Sequence, residues 1–340
     1  MHTAAARRSA PIALLIVLML PQIGCDAPVP PDPATGDAAL AVREGYVDAG
    51  GGVRVYYRMV GDDPGPLVVL HGGPGFNMEY FAEDLRSLAA GRTLLFYDQR
   101  GTGRSSLVSD AAALDANLFA DDLEAIRRQF GLPQLTLLGH SWGAAVAALY
   151  AIRFPDRVAG LLVVGGIPLR RSELERTFRE LDAGRPEAIR LEMQERRKAW
   201  LADPGDAEAC RAYYRLWFQP FFADSAAAAR TRGDFCAGSP DALRNKVAAV
   251  DRFTIASLGD WDWRPSLQAV TARALVIHGT RDVIPVDAAR EWAAALPNSR
   301  LLLLDGIGHF PYLEAPGRFD AAVNAFQQGR WPDGAQAVAR

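Results

Sequence analysis

The chain has 340 residues, of which 49% are hydrophobic and 23% are charged, and its formal net charge is −3 at pH 7. This length and composition indicate one or two folded units with a sizeable core, and they exclude a wholly disordered chain. The 37 basic and 40 acidic residues are nearly balanced, which excludes the electrostatic footprint of a nucleic-acid-binding protein. Three cysteines are too few for a disulfide scaffold or a four-cysteine zinc site.

The N-terminal segment has the pattern of an export signal. Arg7 and Arg8 precede an apolar run, Pro11–Leu20, that is shorter than the roughly 20 residues of a membrane-spanning helix. The run leads to Leu-Pro-Gln-Ile-Gly and Cys25, an ending that resembles a bacterial lipobox. We therefore predict a signal peptide over residues 1–24, export to the cell envelope or periplasm, and a lipid on Cys25 as the only contact with a membrane. Ordinary signal cleavage near this point is the alternative.

The remaining chain divides into a tether and a series of alternating elements. Residues 25–45 are rich in proline and alanine and lack periodicity, which predicts a tether. The predicted strands are Val53–Met59, Leu67–Leu70, Thr93–Tyr97, Leu135–Leu138, Gly160–Val164, Arg273–Ile277 and Arg300–Leu304. The predicted helices between them are Glu79–Ala90, Asn117–Phe130, Trp142–Arg153, Val286–Ala295 and Leu313–Gln327. This βαβ order predicts a mostly parallel, doubly wound α/β sheet.

The alternation stops between residues 168 and 265, where the sequence is charged, aromatic and helix-forming. The predicted helices there are Glu173–Asp182, Pro186–Leu201, Ala207–Trp217 and Asp241–Ser257. An insertion at this point would lie over the carboxyl ends of the strands, where open α/β sheets bind ligands. It contains Cys210 and Cys236, which in an oxidising compartment either pair as a disulfide or remain two buried thiols. The sequence leaves both possibilities open.

The most informative short segment runs from Gly139 to Gly143 and reads Gly-His-Ser-Trp-Gly. It follows a predicted strand and begins a predicted helix, which is the context of a nucleophile elbow. Glycines allow chain segments to approach closely around such a turn, and the turn leaves the hydroxyl of Ser141 exposed at a helix N-terminus. Ser141 is therefore the predicted nucleophile.

A serine nucleophile needs a base and an orienting carboxylate. Among five histidines, His309 directly follows the last predicted strand, where a loop can bring its side chain over the sheet. Asp282 follows the preceding strand and is the predicted acid, with Asp305 as its competitor. The order Ser141, Asp282, His309 is that of the α/β-hydrolase triad. Backbone N–H groups of Gly73 and Trp142 are the predicted oxyanion hole.

Three motifs together resemble one family. They are His-Gly-Gly-Pro-Gly at 71–75, Asp-Gln-Arg-Gly-Thr-Gly-Arg-Ser at 98–105, and the elbow at 139–143. These are similar to the α/β-hydrolase superfamily and, within it, to the proline iminopeptidase family. The resemblance implies an α/β-hydrolase core at 46–167 and 266–330. It also implies that the strand ending at Val164 is the sixth core strand and that the helical cap domain, 168–265, is inserted after it.

The sequence departs from the iminopeptidase pattern at two places. His140 stands where the family usually has glycine, and Phe218 follows Trp217 where the family often has a glutamate that grips the free amino group of the substrate. Asp262, between two tryptophans, is the substitute carboxylate that we single out, although the tryptophans alone would serve to pack the cap onto the core. Phe76, Trp217 and Phe218 are further predicted substrate-binding residues. The other acidic candidates in the cap are Glu208, Asp224, Asp234 and Asp260.

These observations predict a serine hydrolase that works through an acyl-enzyme without a metal or an organic cofactor. The first hypothesis is an aminopeptidase that acts on short peptides with small or proline N-terminal residues. A carboxylesterase, lactonase or amidase on small apolar substrates is the alternative, and a catalytically inactive binding protein of the same fold is a remote one. The sequence indicates no partner beyond a small-molecule or short-peptide substrate, and it does not indicate the oligomeric state.

Overall fold

The computed structural model describes residues 40–339. The predicted signal peptide over 1–24, the lipidated Cys25 and most of the tether lie outside these residues and stay predictions. Within the described range, none of the helices has the length and apolar character needed to cross a membrane.

Eight strands form one sheet in the order β1-β2-β4-β3-β5-β6-β7-β8. The strands are β1 Val42–Asp48, β2 Arg54–Val60, β3 Leu67–Leu70, β4 Leu94–Tyr97, β5 Leu135–His140, β6 Val158–Val164, β7 Arg273–Gly279 and β8 Ser299–Leu304. The pairs β1–β2 and β2–β4 are antiparallel, and every other pair is parallel. This is the mostly parallel, doubly wound α/β sheet that the sequence predicts.

The helices that cover the sheet and the insertion follow the same chain order. Core helices are α1 Ala116–Gln129, α2 Trp142–Arg153, α10 Val286–Ala295, α11 Pro311–Glu314 and α12 Pro316–Gln327. Between β6 and β7 lie α3 Arg171–Ala183, α4 Glu187–Ala202, α5 Ala207–Trp217, α6 Ser225–Ala228, α7 Pro240–Asn245, α8 Asp251–Ser257 and α9 Arg264–Leu267. The insertion is therefore helical, as predicted, and its only extended pairing in the described range is the single bridge between Arg170 and Asp262.

The central strands collect the predicted site residues at one edge of the sheet. β3 is buried throughout and lies between β4 and β5, with Leu70 opposite Gly139. Because the carboxyl ends of parallel strands share one edge, the loops after β3, β5, β7 and β8 meet there. They carry, in that order, the glycine-rich 71–75 segment, Ser141, Asp282 and His309.

The predicted boundary between the tether and the core is wrong. The tether does not extend to residue 45, because β1 begins at Val42 and pairs with β2 along its whole length. The sequence hides this strand because β1 is an edge strand in which only Val47 is buried, so it has no apolar run.

The predicted helix Glu79–Ala90 is also wrong, since the chain forms two short 3₁₀ turns, Met78–Tyr80 and Arg86–Ala89. A cap segment contacts the first turn, and the amide of Asp234 donates to the carbonyl of Glu79 at 3.2 Å. That carbonyl would otherwise accept within an α-helix. Tertiary contact here overrides the local helical pattern.

The helix predicted over Asp241–Ser257 is continuous but not uniform. A π-helical turn, Lys246–Val250, separates α7 from α8. Such turns insert one residue into the helical repeat and change which side chains share a face. A second interruption lies in the predicted helix Leu313–Gln327, which breaks at Ala315 because Pro316 disfavours helical backbone in the residue before it.

Cys210 and Cys236 form a disulfide with a Cα–Cα distance of 6.0 Å. The bond joins α5 to the segment that precedes α7. Both sulfurs belong to residues that are nearly inaccessible to solvent. The disulfide therefore fixes the segment that packs on the Met78–Tyr80 turn.

Candidate active site

Ser141 lies at the sharp turn between β5 and α2. Its φ is 56°, and it is the only non-glycine residue within 40–339 with a positive φ. A side chain on either flanking glycine would clash: a Cβ on Gly139 would lie 2.5 Å from the carbonyl oxygen of Gly143, and a Cβ on Gly143 would collide with the carbonyl of Leu70. The turn thus needs both glycines, and it holds the serine in a conformation that costs on the order of 1–3 kcal/mol.

His309 and Asp282 form a buried pair. Nδ1 of His309 lies 3.0 Å and 2.9 Å from the two carboxylate oxygens of Asp282. The side chains are 3% and 0% exposed. Burial acts to raise the pKa of Asp282, but the charge and hydrogen bond of His309 outweigh it and lower that pKa below its usual value. The carboxylate is therefore ionised and able to hold the imidazole in one orientation.

The backbone packs closely around His309 and Asp282. The amide of Ile284 donates to Asp282 at 2.9 Å, which fixes the second side of the carboxylate. A Cβ on Gly165, whose φ is +52°, would lie 3.0 Å from Nδ1 of His309. Asp305, the competing acid, accepts from the hydroxyl of Thr280 at 3.0 Å instead. The structure thus brings Asp282, and not Asp305, onto His309.

Ser141 and His309 line one cavity of about 260 Å³ at the junction of core and insertion. Its walls are formed by Gly73, Pro74, Phe76, Ser141, Phe178, Tyr213, Tyr214, Trp217, Phe218, Phe221, Lys246, Asp251, Ile255 and His309. A larger cavity of about 460 Å³ lies among insertion residues and contains none of the predicted triad. The smaller cavity is the candidate active site, because both Ser141 and His309 line it.

The glycine-rich loop after β3 lies against the serine. A Cβ on Gly72 would stand 3.2 Å from the Cβ of Ser141, and Gly73 lines the cavity. Trp142 is the first residue of α2, and the first N–H groups of a helix have no partner within it. Gly73 therefore lines the same cavity as Ser141, and Trp142 directly follows Ser141 at the start of α2; their role as oxyanion donors stays a prediction.

The 98–105 turn braces this loop. The side chain of Gln99 donates to the carbonyl of His71 at 2.7 Å and accepts from the indole of Trp142 at 2.9 Å. The amide of Gln99 donates to Nε2 of His71 at 3.0 Å. These bonds tie the 71–75 segment, the predicted oxyanion loop, to the start of α2.

Three of the four predicted substrate-binding residues line the cavity, namely Phe76, Trp217 and Phe218. Asp262 does not. Its carboxylate is 39% exposed and pairs with Arg264 at 2.6 Å. The flanking tryptophans are buried and stacked, with ring centroids 5.5 Å apart, so the extended backbone turns the residue between them outward. Asp262 as a substrate ligand is therefore a wrong prediction.

The carboxylate that does line the cavity is Asp251, which the sequence did not reveal. Both of its oxygens accept from Nζ of Lys246, at 2.7 and 2.8 Å. The Lys246 side chain is only 4% exposed, whereas that of Asp251 is 36% exposed. The ammonium also lies 4.7 Å and 5.4 Å from the ring centroids of Phe76 and Tyr214. Burial acts to lower the pKa of Lys246, but Asp251 and Tyr214 together outweigh burial and raise that pKa, so the lysine remains charged.

No sequence signal points to this ion pair. Residues five apart lie on different faces of an α-helix, which separates Lys246 from Asp251 on a regular helical wheel. The π-helical turn between them brings the two side chains together. A motif search based on spacings of three and four therefore misses them.

The described residues hold no cluster of three or more histidine, cysteine, aspartate or glutamate side chains suited to a metal ion. The other histidines of the described range, His71, His140 and His278, make structural hydrogen bonds. His278, for example, bonds through Nε2 to the carbonyl of Ile284 at 2.9 Å.

Comparison with known proteins agrees with this fold. Residues 65–316 match the alpha/beta hydrolase fold family. A proline iminopeptidase of Lactobacillus delbrueckii subsp. bulgaricus is 30% identical over 307 residues, which cover 84% of this chain and 97% of that protein.

Solved structures share the fold at lower identity. The proline iminopeptidase of Mycobacterium smegmatis superposes with a TM-score of 0.62 at 23% identity, over 84% of this chain and 98% of its own. An esterase from Exiguobacterium antarcticum gives a TM-score of 0.61 at 21% identity, over 84% of this chain and all of its own. The chain is therefore a hydrolase that belongs to the alpha/beta hydrolase superfamily, and within that superfamily it resembles the proline iminopeptidases.

Proposed function

We propose that this protein is a serine hydrolase in which Ser141, His309 and Asp282 act as nucleophile, general base and orienting acid. The observation that carries the proposal is the cavity shared by Ser141 and His309, with the Asp282 carboxylate on the far nitrogen of the imidazole. Because Nδ1 of His309 is occupied by Asp282, Nε2 is the nitrogen left to exchange a proton with the serine.

The reaction proceeds in two halves. The Oγ of Ser141 attacks the substrate carbonyl carbon while its proton passes to Nε2 of His309. The amides of Gly73 and Trp142 donate to the oxyanion that forms. The tetrahedral adduct collapses when the bond to the leaving group breaks and His309 returns the proton to that group. Water then repeats the sequence on the acyl-enzyme and releases the acid.

For the substrate we propose a short peptide with a free N-terminal amino group. Among the described residues that line the cavity, Asp251 is the one carboxylate, and Lys246 donates to both of its oxygens without using all of their lone pairs. The face of Asp251 that Lys246 leaves free is open to the cavity and can accept from a substrate ammonium. The 30% identical relative is itself a proline iminopeptidase, which supports the same choice.

The test compares three substrates on the purified enzyme: prolyl arylamide, its N-acetyl derivative and a p-nitrophenyl ester. Asp251→Asn alone would strand the buried Lys246 cation, so the informative variant is Lys246→Met/Asp251→Asn, which removes both charges. A charged hydrogen bond contributes about 1.5–3 kcal/mol, so we expect kcat/KM for the free-amine substrate to fall roughly 10- to 100-fold. Ester turnover should change less than about threefold. Asp262→Asn is the matched control, and it should change nothing.

An esterase is the second candidate. Lys246 neutralises Asp251, and the rest of the lining is largely aromatic, which suits a small uncharged acyl group. Ester hydrolysis by the wild type with no turnover of prolyl arylamide would establish this alternative and end the peptidase hypothesis.

A further inference from the structure

The residue beside the nucleophile, His140, takes part in a hydrogen-bond chain that no step of the mechanism uses. The amide of Gly72 donates to the hydroxyl of Tyr80 at 2.7 Å. That hydroxyl lies 2.7 Å from Nδ1 of His140. Nε2 of His140 lies 3.0 Å from the carbonyl oxygen of His309. The chain thus begins on the oxyanion loop and ends on the residue that carries the general base.

The direction of every bond in this chain is determined. A carbonyl oxygen can only accept a hydrogen bond, so Nε2 of His140 carries the hydrogen and donates to the backbone carbonyl of His309. If the ring is neutral, Nδ1 is an acceptor, and the Tyr80 hydroxyl donates to it while accepting from Gly72. If the ring were charged, both nitrogens would donate, and the Tyr80 proton would lose its acceptor. Burial, assisted by the neighbouring His309, lowers the pKa of His140 to about 3, so the neutral form prevails.

The surroundings hold this chain rigidly. Tyr80 and His140 are 1% and 2% exposed, and the ring of His140 contacts those of Tyr80, Phe310 and Tyr312. A Cβ on Gly72 would lie 3.0 Å from the Tyr80 oxygen, so the loop cannot shift toward it. Fully satisfied buried polar networks of this kind impose one geometry on the groups they join.

We infer that Tyr80 and His140 are positioning residues that set the distance between the oxyanion loop at Gly72 and the backbone of His309. Neither side chain lines the cavity that Ser141 and His309 share. The inference rests on the proposed serine-hydrolase function, because both ends of the chain matter only if Gly73 binds the oxyanion and His309 moves the proton. Misplacement of reacting groups by about 1 Å can lower a rate about 100-fold, so the expected effect falls on kcat rather than on KM.

The experiment uses a small set of variants of the purified protein. Tyr80→Phe removes the hydroxyl. His140→Gln keeps an amide N–H that reaches the His309 carbonyl, but in that pose its amide oxygen points away from the position of Nδ1 and does not meet the Tyr80 hydroxyl. Both remove the same hydrogen bond. We expect each to lower kcat about 10- to 100-fold with KM within about threefold, and the double variant to lose no more than the worse single one.

Tyr312→Phe is the matched control. Its hydroxyl is buried without a hydrogen-bond partner in the described part of the chain, yet its ring packs 5.4 Å from that of His140. The chemical change is therefore the same as in Tyr80→Phe, without the loss of a bond. We expect its kcat to stay within twofold of the wild type.

Two further measurements keep the outcome decisive. The ¹⁵N shifts of the His140 ring in the wild type, between pH 5 and 8, should report a neutral ring with the proton on Nε2; a charged ring or an Nδ1–H form would overturn the inference.

The rate of Ser141 labelling by a fluorophosphonate, with unfolding midpoints, separates chemistry from folding. Suppose that the wild type is labelled. If both single variants then keep the wild-type kcat, or if the fold-loss of the double variant equals the product of the two single fold-losses, the positioning role fails and the proposed function stands. If the wild type is not labelled, the proposed function fails and the positioning role fails with it.

Discussion

Replacement of Asp282 by asparagine tests the assignment of the acid most directly. The substitution keeps the volume of the side chain and removes the charge that faces Nδ1 of His309 at 2.9 Å. At an effective dielectric constant of about 20, two unit charges at this distance attract with roughly 5.7 kcal/mol. That attraction stabilises the imidazolium of His309 when Ser141 loses its proton. Since each 1.36 kcal/mol is tenfold in rate, we expect kcat to fall about 10⁴-fold.

The assay is steady-state hydrolysis of whichever substrate the wild type accepts, with fluorophosphonate labelling of Ser141 as a second readout. Asp305→Asn is the matched control, because Asp305 lies on the loop of His309 but bonds to Thr280. It should keep kcat within about twofold. A larger loss in Asp305→Asn than in Asp282→Asn would refute the reasoning, as would a folded Asp282→Asn enzyme that retains more than about a tenth of wild-type kcat.

Two other predictions concern stability. Replacing Cys210 and Cys236 by serine opens a loop with a sequence separation of 26. We expect the free energy of unfolding, measured by urea denaturation, to fall by about 3.5 kcal/mol. An unchanged midpoint would mean that the disulfide does not constrain the unfolded chain. The pKa of His140 is lowered to about 3, chiefly by burial and also by His309, while Asp282 acts in the opposite direction. The unfolded chain therefore binds a proton at this residue below about pH 6.5 that the folded chain does not, and folding stability rises with pH across that window. In the wild type, the free energy of unfolding should therefore be higher at pH 6.0 than at pH 4.5, and His140→Gln should reduce that difference by up to about 2 kcal/mol. Urea denaturation at the two pH values measures it. The same pH dependence in the wild type and in His140→Gln would contradict the lowered pKa of His140.

The position of Ser141 was open to prediction because the turn that holds it is local. Gly139 and Gly143 are required by contacts within a few residues of the serine or with the adjacent strand β3. His309 and Asp282 follow because parallel strands bring their carboxyl ends to one edge. For these residues, chain order and strand position are sufficient.

The substrate-facing part of the site was not open to prediction in the same way. Asp262 has aromatic neighbours in sequence, but those neighbours pack inward and turn the carboxylate outward. Asp251 has no such neighbours, and it reaches the cavity through a π-helical turn that places it beside Lys246. Aromatic neighbours in the sequence therefore do not show that a carboxylate lies inside the cavity. Whether it does depends on the direction in which the backbone points its side chain. The prediction failed where tertiary packing decides.

The insertion also constrains His309, the proposed catalytic base, and this limits how the cavity can open. The amide of His309 donates to the carbonyl of Phe221 at 2.7 Å, and Phe221 lines the cavity. The carboxylate of Glu314 accepts from the amide of Gly308 at 3.0 Å and from that of Ala223 at 2.9 Å, so one side chain holds both the base loop and the insertion. A movement that carried this part of the insertion away from the core would break these bonds and release the backbone of the base. Because each bond contributes about 1 kcal/mol and the base must keep its place for proton transfer, substrate entry that preserves the catalytic geometry has to proceed past other walls of the cavity. The segment around Phe221 therefore belongs mechanically to the base and not to a movable lid.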